Sequence, residues 1–200
     1  MVSLASDIIV ALCAAFVAGI AFVGINSWRK ELGGKAKFEL ARNIMLLSLK
    51  LEANFEWARY GLSTSWESTD RRRKDDESLK EAELLDQWYI RRQRLRPLLE
   101  NLQKIQELGL EAEVLLDTES SKQASEAIKV FKECWAELST AIEDYFGTRH
   151  EEIVKGSEAR DQNWLRELSK EIYSTSNDKM STKVIRAKEQ LVSVLKAHVK

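Results

Sequence analysis

The chain has 200 residues, with 31 Lys and Arg against 32 Asp and Glu and a formal net charge of −1. That balance excludes a general polyanion binder, which needs a net basic face, so no nucleic-acid partner is expected. One Pro and eight Gly leave few breakers and favour long helices over a sheet. The two cysteines, Cys13 and Cys134, cannot make a disulfide framework, which suits a reducing cytoplasm.

Residues 8–25 (IIVALCAAFVAGIAFVGI) are uncharged and mostly apolar, and Trp28, Arg29 and Lys30 follow at once. A run of this length with an aromatic and cationic flank predicts one membrane-spanning helix. A cleaved signal peptide would carry positive charge ahead of a shorter core, whereas here Asp7 is the only charge before Arg29. Arg29, Lys30, Lys35 and Lys37 all follow the run, so the N-terminus is expected outside and residues 29–200 in the cytoplasm. Trp28, Arg29 and Lys30 then mark the membrane interface. Ala11, Ala15 and Gly19 lie four residues apart on one face, a spacing that allows a second helix to approach closely in self-association.

After Gly33-Gly34, expected to break the helix, a first long helix is predicted over about 35–60. Its seam is Leu40, Ile44, Leu47, Leu51, Phe55, Ala58 and Leu62. Residues 62–77 form a polar connection in which Arg71, Arg72, Arg73 and Lys74 are neutralised by Asp75, Asp76 and Glu77. A second helix starts near Ser78 and carries Leu84, Leu85, Trp88, Leu95, Leu98, Leu102, Ile105 and Leu108. Pro97 should kink or restart it, and Gly109 should break it.

In the third helix Ala124, Ile128, Phe131, Trp135, Leu138, Ile142 and Tyr145 alternate steps of four and three, and Gly147 is expected to end it. A short amphipathic piece follows around Trp164, Leu165, Leu168 and Ile172. The last helix is capped by Asn177 or Asp178 and carries Met180, Val184, Ala187, Leu191, Val194 and Leu195. The expected fold is all-α: an N-terminal transmembrane anchor over residues 1–34, then an antiparallel four-helix bundle over residues 35–200.

No catalytic, cofactor or metal residues are predicted. Gly34-Lys35 has Arg29 where a P-loop needs its first glycine and Ala36 where it needs Ser or Thr. Neither GxSxG, HExxH nor CxxC occurs, and His150 and His198 lack the Glu-x-x-His spacing of di-metal bundles. Arg91, Arg92, Arg94 and Arg96 form the most suggestive cluster, a candidate anion or partner contact together with the loop aromatic Trp66. Against that, Arg91 and Arg92 fall where the seam passes from Trp88 to Leu95, so one of them is expected to pack its stem at the core edge and pair with a carboxylate. Cys134, beside the seam, reads as a buried inert thiol.

The stretch Trp28-Arg29-Lys30-Glu31-Leu32-Gly33-Gly34-Lys35, continuing through Phe38-Glu39-Leu40-Ala41, resembles the junction of an uncharacterised family of bacterial single-pass inner-membrane proteins. In that family a Trp-x-x-Glu-Leu-x-Gly-Lys segment follows the anchor. The resemblance covers about fifteen residues and implies an inner-membrane protein with a helical cytoplasmic part; it carries over no catalytic residue. Together these features predict a non-enzymatic, membrane-anchored helical scaffold that recruits or organises a protein partner. The alternative is a membrane sensor or defence-type component acting through homo-oligomerisation.

Overall fold

A computed structural model describes the backbone of residues 2–156, 161–173 and 178–199, and within these the side chains from residue 16 onward. The described chain is helical: α1 (Val2–Arg59), α2 (Leu79–Leu115), α3 (Thr118–Lys155), α4 (Gln162–Ile172) and α5 (Lys179–Leu195), with a 3₁₀ turn at Ser65–Ser68. α1 packs against α2 and α5, α3 packs against the same two, and α4 lies on α3, so the helices make a bundle around one core.

The apolar spacing places this core. Leu40, Ile44, Leu51, Phe55 and Ala58 of α1 are buried, and they meet Leu98, Leu102 and Ile105 of α2, Ile128, Phe131, Leu138 and Ile142 of α3, and Val184 and Leu191 of α5. Phe55 and Phe131 stack across it with ring centroids 6.3 Å apart. Helix ends are closed by side chains that satisfy otherwise unpaired backbone donors. Ser78 caps α2 through Glu81, Asp117 caps α3 through Ser120, and Asp178 caps α5 through Ser181. Asn177, the other expected cap, lies outside the described residues.

Three expected glycine breaks do not occur, and α2 does not restart at Pro97. α1 runs through Gly33 and Gly34 without interruption, because a glycine costs a helix interior only about 1 kcal/mol and leaves its hydrogen bonds intact. α2 continues through Pro97, whose carbonyl accepts from Asn54 Nδ2 of α1 at 3.3 Å. It also continues through Gly109, where a Cβ would come within 3.0 Å of Ile128 Cδ1; the glycine serves close helix packing rather than a turn. α3 passes Gly147 and stops at Gly156, which adopts the left-handed conformation of a C-terminal cap (φ 61°). Leu62, expected in the first seam, lies beyond the end of α1 and is exposed.

The N-terminal half of α1 stands clear of the bundle. From Phe16 to Glu39 no side chain is buried, and Phe16, Ile20, Phe22, Val23 and Trp28 are each more than half exposed. Among the described residues no helix is long and apolar enough to cross a membrane. The side chains of residues 8–15 of the predicted span lie outside the described residues. The remainder, 16–25, gives about 15 Å of helix against a hydrocarbon core of about 30 Å.

Candidate functional site

The densest polar constellation lies where α1 ends. The last carbonyls of a helix have no intrahelical donors and carry the negative end of its dipole, so a buried cation is stabilised there. Arg91 and Arg94, one turn apart on α2, supply it. The fully buried Arg91 donates from Nη1 to the carbonyls of Ala58 at 3.0 Å and Tyr60 at 2.6 Å, and from Nη2 to that of Gly61 at 3.3 Å. Its guanidinium lies 4.7 Å from the centre of the Tyr173 ring, and its buried Nε has no acceptor among the described residues. Burial pushes the pKa of Arg91 down.

Arg94 reaches the same loop from below. It donates to the carbonyls of Tyr60 and Leu62, both at 2.8 Å, and grips Glu67 with Nε and Nη2 at 2.7 and 2.9 Å. Its charge sits 4.3 Å from the Trp57 ring. Those bonds hold the Glu67 carboxyl at a pKa of about 2 instead of 4.5. Glu67 also accepts from the Thr64 backbone and hydroxyl, closing the turn that carries Trp66.

Arg59, the last residue of α1, completes the clasp. It donates to the carbonyls of Glu171 and Lys170 at 2.9 and 3.2 Å, at the end of α4, and to Asp178 Oδ1 and Ser181 Oγ at 3.0 and 2.9 Å, at the start of α5. Three arginines thus join the ends of α1 and α4, the beginning of α5 and the connecting loop. Further along that loop Arg71 is held by Glu77 and Asp86, the two carboxylates folding the charged block onto α2.

Of the residues predicted to contact an anion or partner, the structure brings together Arg91 and Arg94 only, and both are buried with their donors turned to carbonyls and Glu67. The carboxylate expected for one arginine at the seam belongs to the other: Arg91 enters the core without one. Arg92 faces Glu143 on α3, with Nε to Oε1 at 2.7 Å, and covers Trp88 at 4.3 Å. The mutual pairing raises the pKa of Arg92 and lowers that of Glu143. Arg96 is exposed, as is Trp66 on its turn.

Trp28, Arg29 and Lys30 are exposed on the free half of α1, as is Gly19, where a Cβ would meet no atom within 4 Å. The side chains of Ala11 and Ala15 lie outside the described residues. Arg59 was missed by sequence reasoning. Its signal was an arginine adjoining the core position Ala58 in the last turn of a helix, where a cation suits the dipole.

The arrangement orders chain ends. Among the described residues no cluster of three His, Cys, Asp or Glu is placed to hold a metal. Cys134 is buried, and burial pushes its thiol up to about 11, away from thiolate chemistry. Two clefts in the bundle are open to solvent. One of about 400 Å³ is lined by Gln106, Gly109, Leu110, Glu113, Ser125, Ile128, Lys129 and Lys132. No known protein family, curated protein or solved structure matches this chain.

Proposed function

We propose that this protein is a membrane-anchored helical scaffold without catalytic activity, which positions a protein partner at a bacterial inner membrane. The observation that carries the reading is the contrast within α1. Its C-terminal half is packed into the bundle, while its N-terminal half is mostly apolar and free of charge over residues 8–25 and, from Phe16 onward, uncovered. Eighteen such residues span about 27 Å at helical rise, close to the hydrocarbon thickness. Trp28 then lies at headgroup level, with Arg29, Lys30, Lys35 and Lys37 retained on the cytoplasmic side.

The soluble part is read as an antiparallel four-helix bundle of α1, α2, α3 and α5. Consistent with that order, Glu52 of α1 pairs with Lys188 of α5 at 2.9 Å and Lys183 of α5 with Glu137 of α3 at 2.7 Å. Its buried arginines serve the fold, so recruitment falls to exposed faces.

The test is alkaline carbonate extraction of membranes from cells expressing a C-terminally tagged chain, with protease accessibility of the tag in spheroplasts. Retention in the pellet with a protected tag is expected. Release into the supernatant would refute the anchor, and digestion of the tag would invert the topology.

A further inference from the structure

The short helix α4 lies on α3 with Leu165 and Ile172 buried. The spacing that buries Leu165 sets Gln162, Arg166 and Ser169 on the same side of α4, three and four residues from it. On α3, Tyr145 and Arg149 stand one turn apart. These six residues line an open cleft of about 240 Å³ between the two helices; five of them can donate hydrogen bonds and none is an acid.

The cations of this cleft are not used up by the protein. Arg166 makes no hydrogen bond or ion pair among the described residues. Arg149 donates from Nη1 alone, to Glu152 Oε2 at 2.8 Å, and the rest of its five N–H groups stay open. Glu152, Asp161 and Glu167 flank the cleft in sequence, and each is engaged: by Arg149, by the Asn163 amide at 2.9 Å and by Lys170 at 2.6 Å. Arg59 and Arg94 differ, because carbonyls, carboxylates and a hydroxyl of the fold take up their donors.

The donor set selects the ligand. One planar guanidinium satisfies the two oxygens of a carboxylate. Two guanidinium groups from different helices, with the Tyr145 and Ser169 hydroxyls and the Gln162 amide, suit the three terminal oxygens and double charge of a phosphate monoester. We propose that the cleft between α3 and α4 binds a small soluble phosphate monoester, with Arg149 and Arg166 clamping the phosphoryl oxygens. Its volume falls below the about 300–1,000 Å³ of pockets for drug-sized ligands, which suits a phosphoryl group on a short polar chain rather than a nucleotide. A lipid headgroup carries the same chemistry but lies at the other end of the molecule. Ser169 adjoins Lys170, whose carbonyl accepts from Arg59, and Arg59 stands about 46 Å of helix beyond Trp28. That exclusion of lipid rests on the preceding reading; the match of donors to phosphate does not.

The test titrates glycerol phosphate into the full chain in a maltoside detergent, which carries no phosphate, and reads binding by calorimetry. A Kd of about 1 mM or tighter is expected. Arg149→Gln and Arg166→Gln should each weaken binding about tenfold or more, whereas Arg96→Gln, exposed on α2, should leave it unchanged. All three variants should melt within about 2 °C of the parent, so that lost binding is not lost folding. If Arg149→Gln melts early through its lost pair with Glu152, Arg166→Gln decides, since Arg166 holds nothing within the described protein. No binding by the parent at about 20 mM ester, unchanged affinity in Arg166→Gln, or an equal loss in Arg96→Gln would each overturn the proposal. Competition from phosphatidic acid in nanodiscs would overturn it too, by giving the site to lipid. Carbonate extraction of the same cells separates the two readings. Pelleted chain that does not bind the ester refutes the site and keeps the anchor, whereas released chain that binds it keeps the site and refutes the anchor.

Discussion

Replacing Arg91 by methionine keeps a stem of similar reach and removes the guanidinium from the end of α1. Three hydrogen bonds go with it, to Ala58, Tyr60 and Gly61, of which the bond to Ala58 is buried and the other two are partly so. A buried carbonyl left without its donor costs about 1–3 kcal/mol, and partly buried ones recover much of that from water, giving a gross loss of about 3–5 kcal/mol. Against this stands relief of the cost of burying a guanidinium, which for a buried charge held by several hydrogen bonds returns about 1–2 kcal/mol. The net expectation is a loss of about 2–3 kcal/mol, or about 4–12 °C in melting temperature for a chain of this size. Thermal unfolding of the full chain in mild detergent, followed by far-ultraviolet circular dichroism, reads it directly. A variant that melts within about 1 °C of the parent would show that the carbonyls do not depend on Arg91 and would sink the clasp argument.

Three further outcomes follow from the same structure. The Glu67 carboxyl is held at about 2 by Arg94, so its contribution is full above its ordinary 4.5 and fades as the pH falls from 4.5 toward 2. Glu67→Gln should cost about 1–2 kcal/mol at pH 7 after solvent screening and flatten that acid limb; parallel pH-dependence in variant and parent would contradict it. Cys134, buried with its thiol near 11, should resist a maleimide at pH 8 in the folded chain and react at once in urea; labelling at native rates would place it at the surface. The double change Gly33→Ala and Gly34→Ala meets no atom within 4 Å, so it should strengthen α1 locally by about 1 kcal/mol per site, seen as slower amide exchange over residues 30–38. Faster exchange there would mean that the junction is not a continuous helix.

The spacing of apolar residues carried most of the helical reading, because a seam such as Leu40, Ile44, Leu51 and Phe55 reports a buried face whatever that face meets. Glycines misled it. Gly109 and Gly147 suggest ends when read locally, yet each lies inside a helix, the first beside Ile128 and the second where an added Cβ would lie 4.0 Å from the Trp88 ring. A close approach by another helix leaves no mark on the residues flanking the glycine. The clasp was half legible: Arg91 and Arg92 fall where the seam passes from Trp88 to Leu95, which marks one of them for the core edge without saying which. The partners of Arg91 are main-chain carbonyls at the end of another helix, and a carbonyl has no residue identity for sequence reasoning to find. Arg59 escaped for the same reason, since two of its acceptors are the carbonyls of Lys170 and Glu171.

Because α1 is a single helix of 58 residues, about 87 Å long, it is a lever as well as an element of the bundle. Its packed portion, from Leu40 to Arg59, extends about 30 Å, so a 10° tilt of the free half displaces the far end by about 5 Å. That end is where Arg59 holds α4 and α5 and where Arg91 and Arg94 hold the Trp66 loop. With no joint at Gly33-Gly34 to absorb it, a change of tilt or twist at the N-terminal side arrives as motion of the whole distal face, and stiffness rather than contact becomes the means by which one end of the molecule informs the other.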